Sequence, residues 1–352
     1  MQSFNHENHG GRVVFGSGSL ETLPGILDSL GVARALLITT SEQAELGHRI
    51  DDLLGKRSAG VLAKAVMHVP VEVAREAVRV MRASGADVCI AAGGGSTIGL
   101  AKAIALEADL PIIAVPTTYA GSEMTPLYGM TEAGVKKTGK DWRVLPRCVV
   151  YDPLLTLTLP VKLSVTSGVN AIAHAVEGLY AHDGSPVYSL MAEEGIRALA
   201  SALPRLYASP SDVGARGDAL YGAWLCGTVL GNVQMGIHHK ICHTLGGTFS
   251  LPHADVHTVI LPYALRYNAA HAAHALERVG RAIGATDAIA GLRGLIDSLD
   301  APRSLREIGM PRDGIDRAAD LIVEKTYPNP RPIERHAVRA LLECAYEGAD
   351  PL

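Results

Sequence analysis

The chain carries fourteen histidines, and those in its middle stretch are spaced rather than scattered. Asn170 and His174 stand four apart, as do His239 and His243, and His257 follows His253 at the same interval. The first two pairs fall on expected helices, where residues four apart share a face, so each projects two polar heads in one direction, while His253 follows the Leu251-Pro252 break. Imidazoles gathered in this way suit two chemistries. One is a catalytic metal centre, built from histidine and carboxylate with an open position. The other is proton handling, because imidazole titrates at about 6.5. A lone histidine is more often a surface or hydrogen-bonded core residue, but several spaced positions on separate segments favour a site. The position best placed to supply a carboxylate holds Asn170 instead, whose neutral carbonyl oxygen is a weak transition-metal ligand. His238 is expected to face elsewhere and to be structural. His6, His9, His48, His68, His182, His271, His274 and His336 are expected at the surface.

A second constellation is Gly93-Gly94-Gly95-Ser96-Thr97, which follows one apolar run and opens a helical one. Consecutive glycines let a phosphate approach the backbone, and the free N–H groups at the next helix start favour an anion. The pattern is neither GxGxxG nor a P-loop, which ends in Gly-Lys-Ser/Thr. Taken alone it is equally a tight strand–helix turn. Thr117, Thr118 and Ser122 lie on a second loop after the following strand. Thr40 lies after an earlier one, where no acid occurs until Glu42, so hydroxyls there would tolerate either NADH or NADPH.

The elements that must carry these residues change character along the chain. Strands are expected at Arg12–Phe15, 35–40, 61–69, 87–92 and 111–116, separated by helices such as 20–30, 71–84 and 98–106. This alternation implies an α/β domain with a parallel sheet covered on both faces. After Pro160 only helical patterns follow, at 164–181, 187–202, 212–230, 237–245, 257–268, 271–283, 287–299, 313–324 and 333–344. The expected domains are therefore 1–159, α/β, and 160–352, all-α and catalytic.

Composition fits an enzyme of this kind. The chain has 352 residues, 48% hydrophobic and 19% charged, with a formal net charge of −4. It is too apolar for disorder, and without a basic block nucleic acid is not an expected partner. No apolar run reaches the roughly 18 residues of a membrane span. The N-terminus lacks a basic stretch followed by an apolar one, so no secretory signal and a cytoplasmic location are expected. The five cysteines are scattered without a CxxC pair, which supports neither a disulfide framework nor a cysteine metal site.

Several segments together resemble the iron-containing (group III) alcohol dehydrogenases. They are Gly93-Gly94-Gly95-Ser96, Pro116-Thr117-Thr118 with Gly121-Ser122-Glu123, Tyr151-Asp152-Pro153, Ser167-Gly168-Val169-Asn170 through His174-Ala175-Val176-Glu177, and Gly236-Ile237-His238-His239 through Pro252-His253. The resemblance implies a dehydroquinate synthase-like architecture with a Rossmann-like, dinucleotide-binding α/β N-terminal domain and a helical C-terminal domain, NAD(P) between the two domains and a homodimer. It places the family's metal ligands, one Asp and three His, on Asn170, His174, His239 and His253, and a further active-site histidine on His243. Within the family, Asn170-Ala171-Ile172-Ala173-His174 and Tyr327-Pro328-Asn329-Pro330-Arg331-Pro332 resemble a branch that reduces a carbon–carbon double bond conjugated with a ketone in a small dicarboxylate, during aromatic-compound catabolism.

The expected catalytic set is thus His243, His253, His239, His174 and Asn170, acting with NADH (or NADPH) and without a metal. The expected cofactor contacts are Gly93, Gly94, Gly95, Ser96, Thr97, Thr117, Thr118, Ser122 and Thr40. Lys240, Arg143 and Arg331 are candidates for the substrate carboxylates. Competing readings are a metal-dependent, NAD-linked alcohol or polyol dehydrogenase, a sugar-phosphate cyclase related to dehydroquinate synthase, and a non-enzymatic nucleotide-binding protein. Asn170 weighs against the first two, and the separated histidines against the last.

Overall fold

Short apolar runs bounded by glycine, proline and polar turns build the first of two units, Asn8–Leu159. The computed structural model describes residues 4, 6–7, 11–132 and 135–350; His9 and the first three residues lie outside them. In order, the elements are β1 (Arg12–Phe15), α1 (Leu23–Leu30), β2 (Ala35–Ile38), α2 (Ala44–Leu54), β3 (Ser58–Leu62), α3 (Val71–Ser84), β4 (Val88–Gly93), α4 (Gly95–Ala108), β5 (Ile112–Pro116), β6 (Leu127–Glu132), β7 (Val135–Lys140) and β8 (Cys148–Tyr151). Six strands form a sheet in the order β1-β8-β5-β4-β2-β3, and every neighbouring pair is parallel. β2, β4, β5 and β8 are buried along their whole length. Helices on both faces cause this, and it explains why these strands read as continuous apolar runs rather than alternating ones.

The strand order reverses between β2 and β4. β3 lies outside β2 on one side, whereas β5 lies beyond β4 on the other. Open α/β sheets bind ligands outside the carboxyl ends of the strands at such a reversal. Here those ends are Thr39-Thr40 and Gly93-Gly94.

The strand expected over 61–69 is instead β3, Ser58–Leu62. Beyond it the chain bends, with His68 and Val69 at φ of 66° and 45°, which no strand allows. β8 was not expected. It is four residues long, yet it joins β1 to β5. The β6–β7 hairpin was also missed, because its strands are mostly polar and only half-buried at β6.

The second unit runs from Pro160 to the C-terminus and includes the N-terminal residues through Glu7. Those first residues were expected in the sheet unit. His6 explains the difference: its ring packs on Tyr188 at 4.8 Å and its Nδ1 lies 3.0 Å from Ser185 Oγ, so it is half-buried rather than on the open surface. The helices are α5 (Val161–Leu179), α6 (Pro186–Ala208), α7 (Val213–Asn232), α8 (Ile237–Phe249), α9 (His253–Asn268), α10 (Ala273–Ile283), α11 (Ala288–Ser298), α12 (Gly314–Val323) and α13 (Arg335–Glu347). No strand occurs among the described residues of this unit. One apolar cluster of α8, α9, α12 and α13 includes Ile241, Leu245, Ile260, Ile322 and Leu342.

α5 is buried continuously from Ser164 to Gly178, and glycines let its neighbours approach. A Cβ on Gly178 would stand 2.2 Å from Val229 Cγ1 of α7, and one on Gly168 2.6 Å from Leu203 Cδ2 of α6. Where α6 crosses α7, a Cβ on Gly222 would lie 2.7 Å from Leu199 Cγ. No helix among the described residues is long and apolar enough to cross a membrane.

Candidate active site

Asn170, His174 and Glu177 lie on one face of α5 at spacings of four and three. Opposite them, α8 begins after Gly236, with no capping side chain from that residue. The first N–H groups of a helix need acceptors, and Glu177 supplies them from α5. Its carboxylate accepts from the N–H of Gly236 at 3.0 Å, of His238 at 2.9 Å and of His239 at 3.3 Å. Negative charge at this helix end is favourable in itself. The same carboxylate lies 2.7 Å from His239 Nδ1 and accepts from the Tyr180 hydroxyl at 3.2 Å.

This arrangement fixes the tautomers. A carboxylate accepts only, so His239 Nδ1 carries the proton and Nε2 is left as an acceptor. His174 Nδ1 lies 2.7 Å from that Nε2 and donates to it. His174 Nε2 then accepts from the Asn170 amide N–H at 3.3 Å. Asn170, His174, His239 and Glu177 thus form one directional chain, buried throughout.

α9 begins at His253, not at His257 as the sequence pattern suggested. The two histidines therefore share the first turns of one helix. The His257 ring is wholly buried, with its centroid 4.9 Å from that of His239, 4.9 Å from His238 and 4.3 Å from His253. Neither of its ring nitrogens has a hydrogen-bond partner, and neither has Asn170 Oδ1. His238, expected to face elsewhere, packs into the cluster instead: its Nδ1 lies 3.4 Å from His239 Nδ1, and its Nε2 bonds the His257 carbonyl at 3.1 Å. His243 and His253 are exposed and lie nearly parallel, 6.2 Å apart. The five expected catalytic residues and His257 therefore form a floor of Asn170, His174, His239 and His257, with a rim of His243 and His253. Burial holds the His238, His239 and His257 rings below the usual imidazole range, the last two far below it, so all three are neutral near pH 7.

Ring nitrogens of His174, His239 and His257 lie within 4.8 Å of one another, close enough to face a single ion. The donor set nevertheless suits a divalent cation poorly. Asn170 brings no charge, and the lone pairs of His239 Nε2 and His174 Nε2 are spent within the chain just described. Glu177 reaches the group only through His239 Nδ1.

In the sheet unit, Gly93 ends β4 at φ +154°, and a Cβ there would stand 2.4 Å from Thr97 Oγ1 and 2.6 Å from Gln43 Oε1. Only glycine fits. Gly94 precedes α4, which no side chain caps, and a Cβ at Gly95 would meet open space. Ser96 is half-buried, while Thr97 is buried with an unpartnered hydroxyl. The neighbouring loop lies alongside: Thr117 N–H donates to the Gly93 carbonyl at 3.2 Å, and a Cβ on Gly94 would stand 2.9 Å from Thr118 Cγ2. Thr40 is half-buried at the end of β2. The Glu42 carboxyl beyond it is held below its usual range by its own backbone N–H and the Thr40 and Ser41 hydroxyls. An uncapped helix start, an open glycine and an orphaned hydroxyl at the sheet's reversal point fit a dinucleotide.

Ser122 is a different matter. Its carbonyl accepts from Lys102 Nζ at 2.8 Å, and its hydroxyl lies 3.5 Å from the same ammonium. Lys102 is buried on α4 and also donates to the Thr125 carbonyl and hydroxyl at 2.8 and 2.9 Å and to the Leu127 carbonyl at 2.8 Å. Burial draws its ammonium down to about 7, against the opposing pull of Glu123. Of the other cations, Arg143 is tied to Asp141 at 2.7 Å within the sheet unit, and Arg331 stacks on Tyr267 at 4.2 Å; both have structural work. Lys240 is half-buried on α8. Asp152 of the Tyr-Asp-Pro segment accepts from Gly18 and Leu20 N–H groups and holds the turn after β1.

Glu177 is the residue the sequence pattern did not single out, and His257, though noted four beyond His253, is absent from the expected catalytic set. Glu177 stands three beyond His174, and His257 four beyond His253, so the helical spacing contained both signals. His182, His271 and His274 are exposed, as expected. With Tyr180, Asn329 and Glu177 they line a cavity of roughly 540 Å³.

Comparison with known proteins covers both units. Residues 10–153 match the family model described as iron-containing alcohol dehydrogenase, and residues 164–346 match the C-terminal model of the same family. Over its whole length the chain is 59% identical to the whole of a maleylacetate reductase from Burkholderia cepacia. It is 54% identical to one from Pseudomonas knackmussii, with 99% of each chain covered. The crystal structure of maleylacetate reductase from Agrobacterium tumefaciens superposes over 100% of both chains with a TM-score of 0.96 at 49% identity.

Proposed function

The chain belongs to the iron-containing alcohol dehydrogenase family, and from that premise we propose that this oxidoreductase reduces the conjugated double bond of maleylacetate to 3-oxoadipate with NAD(P)H, in the catabolism of aromatic compounds. The observation that carries the reading is the 59% identity to a maleylacetate reductase across both chains entire.

Gly93, Gly94, Gly95, Ser96, Thr97, Thr117, Thr118 and Thr40 would hold the dinucleotide. Bound there, it supplies a hydride for the carbon β to the ketone. Negative charge then develops on the ketone oxygen, and N–H donors already in place stabilise it without reorganising. Protonation of the α-carbon completes the product. His243 is the first choice as proton donor, being exposed on the rim and open to exchange, followed by His253. His239 and His174 hold their N–H groups in fixed directions because Glu177 anchors the chain. Ser122, committed to Lys102, acts on the loop rather than on the cofactor.

The reaction needs no Lewis acid, and the neutral donor set supports a metal-independent enzyme. The test is NADH consumption with maleylacetate, with and without a chelator, beside elemental analysis. The expected result is turnover unchanged by chelation. About one iron or zinc per subunit, with activity lost on its removal, would favour the competing metal-dependent alcohol dehydrogenase. NADH is the expected preferred cofactor, since the ionised Glu42 carboxylate disfavours a 2′-phosphate; the ratio of kcat/KM for NADH and NADPH measures this. The working form proposed is a cytoplasmic homodimer, testable by light scattering.

A further inference from the structure

We propose that His257 contacts the substrate directly and sets specificity by donating its ring N–H to the ketone oxygen of the bound 4-oxo dicarboxylate. The inference rests on the maleylacetate reading above and extends it to a residue with no assigned role.

The argument begins from which buried atoms lack partners. In the floor of the site, His174, His238 and His239 all have bonded ring nitrogens. His257 has none at either nitrogen, although it is wholly buried. Asn170 Oδ1, on the far side of His174, is likewise unmet. Most buried polar groups in native proteins are paired, and an unpaired one calls for a ligand, a water or a strain-based explanation. Packing does not explain an imidazole here, since an apolar side chain of similar volume would fill the space without leaving two polar atoms unmet.

Position says what the ring meets. It is the part of the floor that meets the rim, 4.9 Å from the His239 centroid and 4.3 Å from that of His253. Burial keeps it neutral, so it offers one N–H donor and one lone pair. A neutral donor shielded from solvent suits a ketone oxygen that gains charge during the reaction. The bond strengthens as the enolate forms, so it contributes to kcat more than to substrate binding. A substrate without that oxygen leaves the nitrogen unpaired and is rejected for that reason.

The experiment compares the wild type with H257L, H257F and H257Q, using NADH and maleylacetate. Wild-type turnover tests the underlying reading by itself; if there is none, that reading falls and takes this inference with it. Given wild-type turnover, H257L is expected to lose about a hundredfold or more in kcat, the scale for one oxyanion donor. NADH affinity, read by fluorescence, should stay within about twofold, and the melting temperature should hold or rise because the unmet nitrogens are gone. H257Q, which keeps a donor, should recover at least about tenfold of the lost kcat. If H257L does not fold, H257F takes its place. A kcat within about threefold of wild type in the apolar variant overturns the proposal and leaves the ring bonded to trapped water. So does a kcat loss that comes with a lower melting temperature and no recovery in H257Q, the mark of a packing role.

Discussion

Lys102 and His257 are both almost wholly buried polar side chains, one in each unit, and they differ in what surrounds them. Oxygens of Ser122, Thr125 and Leu127 receive the Lys102 ammonium within 2.8–2.9 Å. No group receives either nitrogen of His257. A saturated buried cation is a brace: it fastens the loop after β5 to α4. An unsaturated buried imidazole is a poised contact, whose desolvation cost is recovered only when something arrives. Burial alone does not separate scaffold from site, but the accounting of partners does.

The contrast can be broken or sharpened by substitution. The largest effect is expected on the site side, at the rim. His243→Ala should lower kcat by about a hundredfold or more, the scale of general acid catalysis. A fall of less than about fivefold, measured in the steady state, would remove His243 from the mechanism. Next comes the brace. Lys102→Met strips the donor from the buried Thr125 carbonyl and from the partly buried Ser122 and Leu127 carbonyls, at a cost of about 1–3 kcal/mol, the penalty for an unmet buried acceptor. Chemical denaturation should show this loss. If Lys102→Met melts like the wild type while His257→Leu melts early, the contrast is inverted and fails.

The smallest effect expected is in pH. The folded-state values of His238, His239 and His257 are lowered from 6.5 by burial. Below about pH 6.5 the unfolded chain therefore binds protons that the folded chain refuses, and stability falls with pH in that window. Calorimetry between pH 7 and 5 should show a declining melting temperature, with a shallower decline in His257→Leu. A flat profile would mean that these rings are solvated.

Much of this was legible in the sequence. Period-3.6 patterning located the helices after Pro160 well, because each buries one face. The i, i+4 spacing paired Asn170 with His174 on α5 and His239 with His243 on α8, and the packing of the helices brought His174 to His239. What escaped detection depended on tertiary partners. β8 is a strand only because β1 and β5 flank it. The sequence sets His257 four beyond His253, but the two are seen to share the first turns of one helix only when α9 starts at His253. Glu177 looks like a surface acid on α5 until the bare N-terminus of α8 is placed against it. Ser122 has the composition of a ligand contact, and nothing in its spacing announces that its carbonyl receives the buried Lys102 ammonium.

The close crossings at Gly168, Gly178 and Gly222 limit how this enzyme can change. α5, which carries Asn170, His174 and Glu177, is wedged against α6 and α7 without room for one added methyl. A mutation that widened either seam would shift every anchor of the floor together. The solvent-facing residues around His243 and His253 are where a side chain can be exchanged without moving a helix.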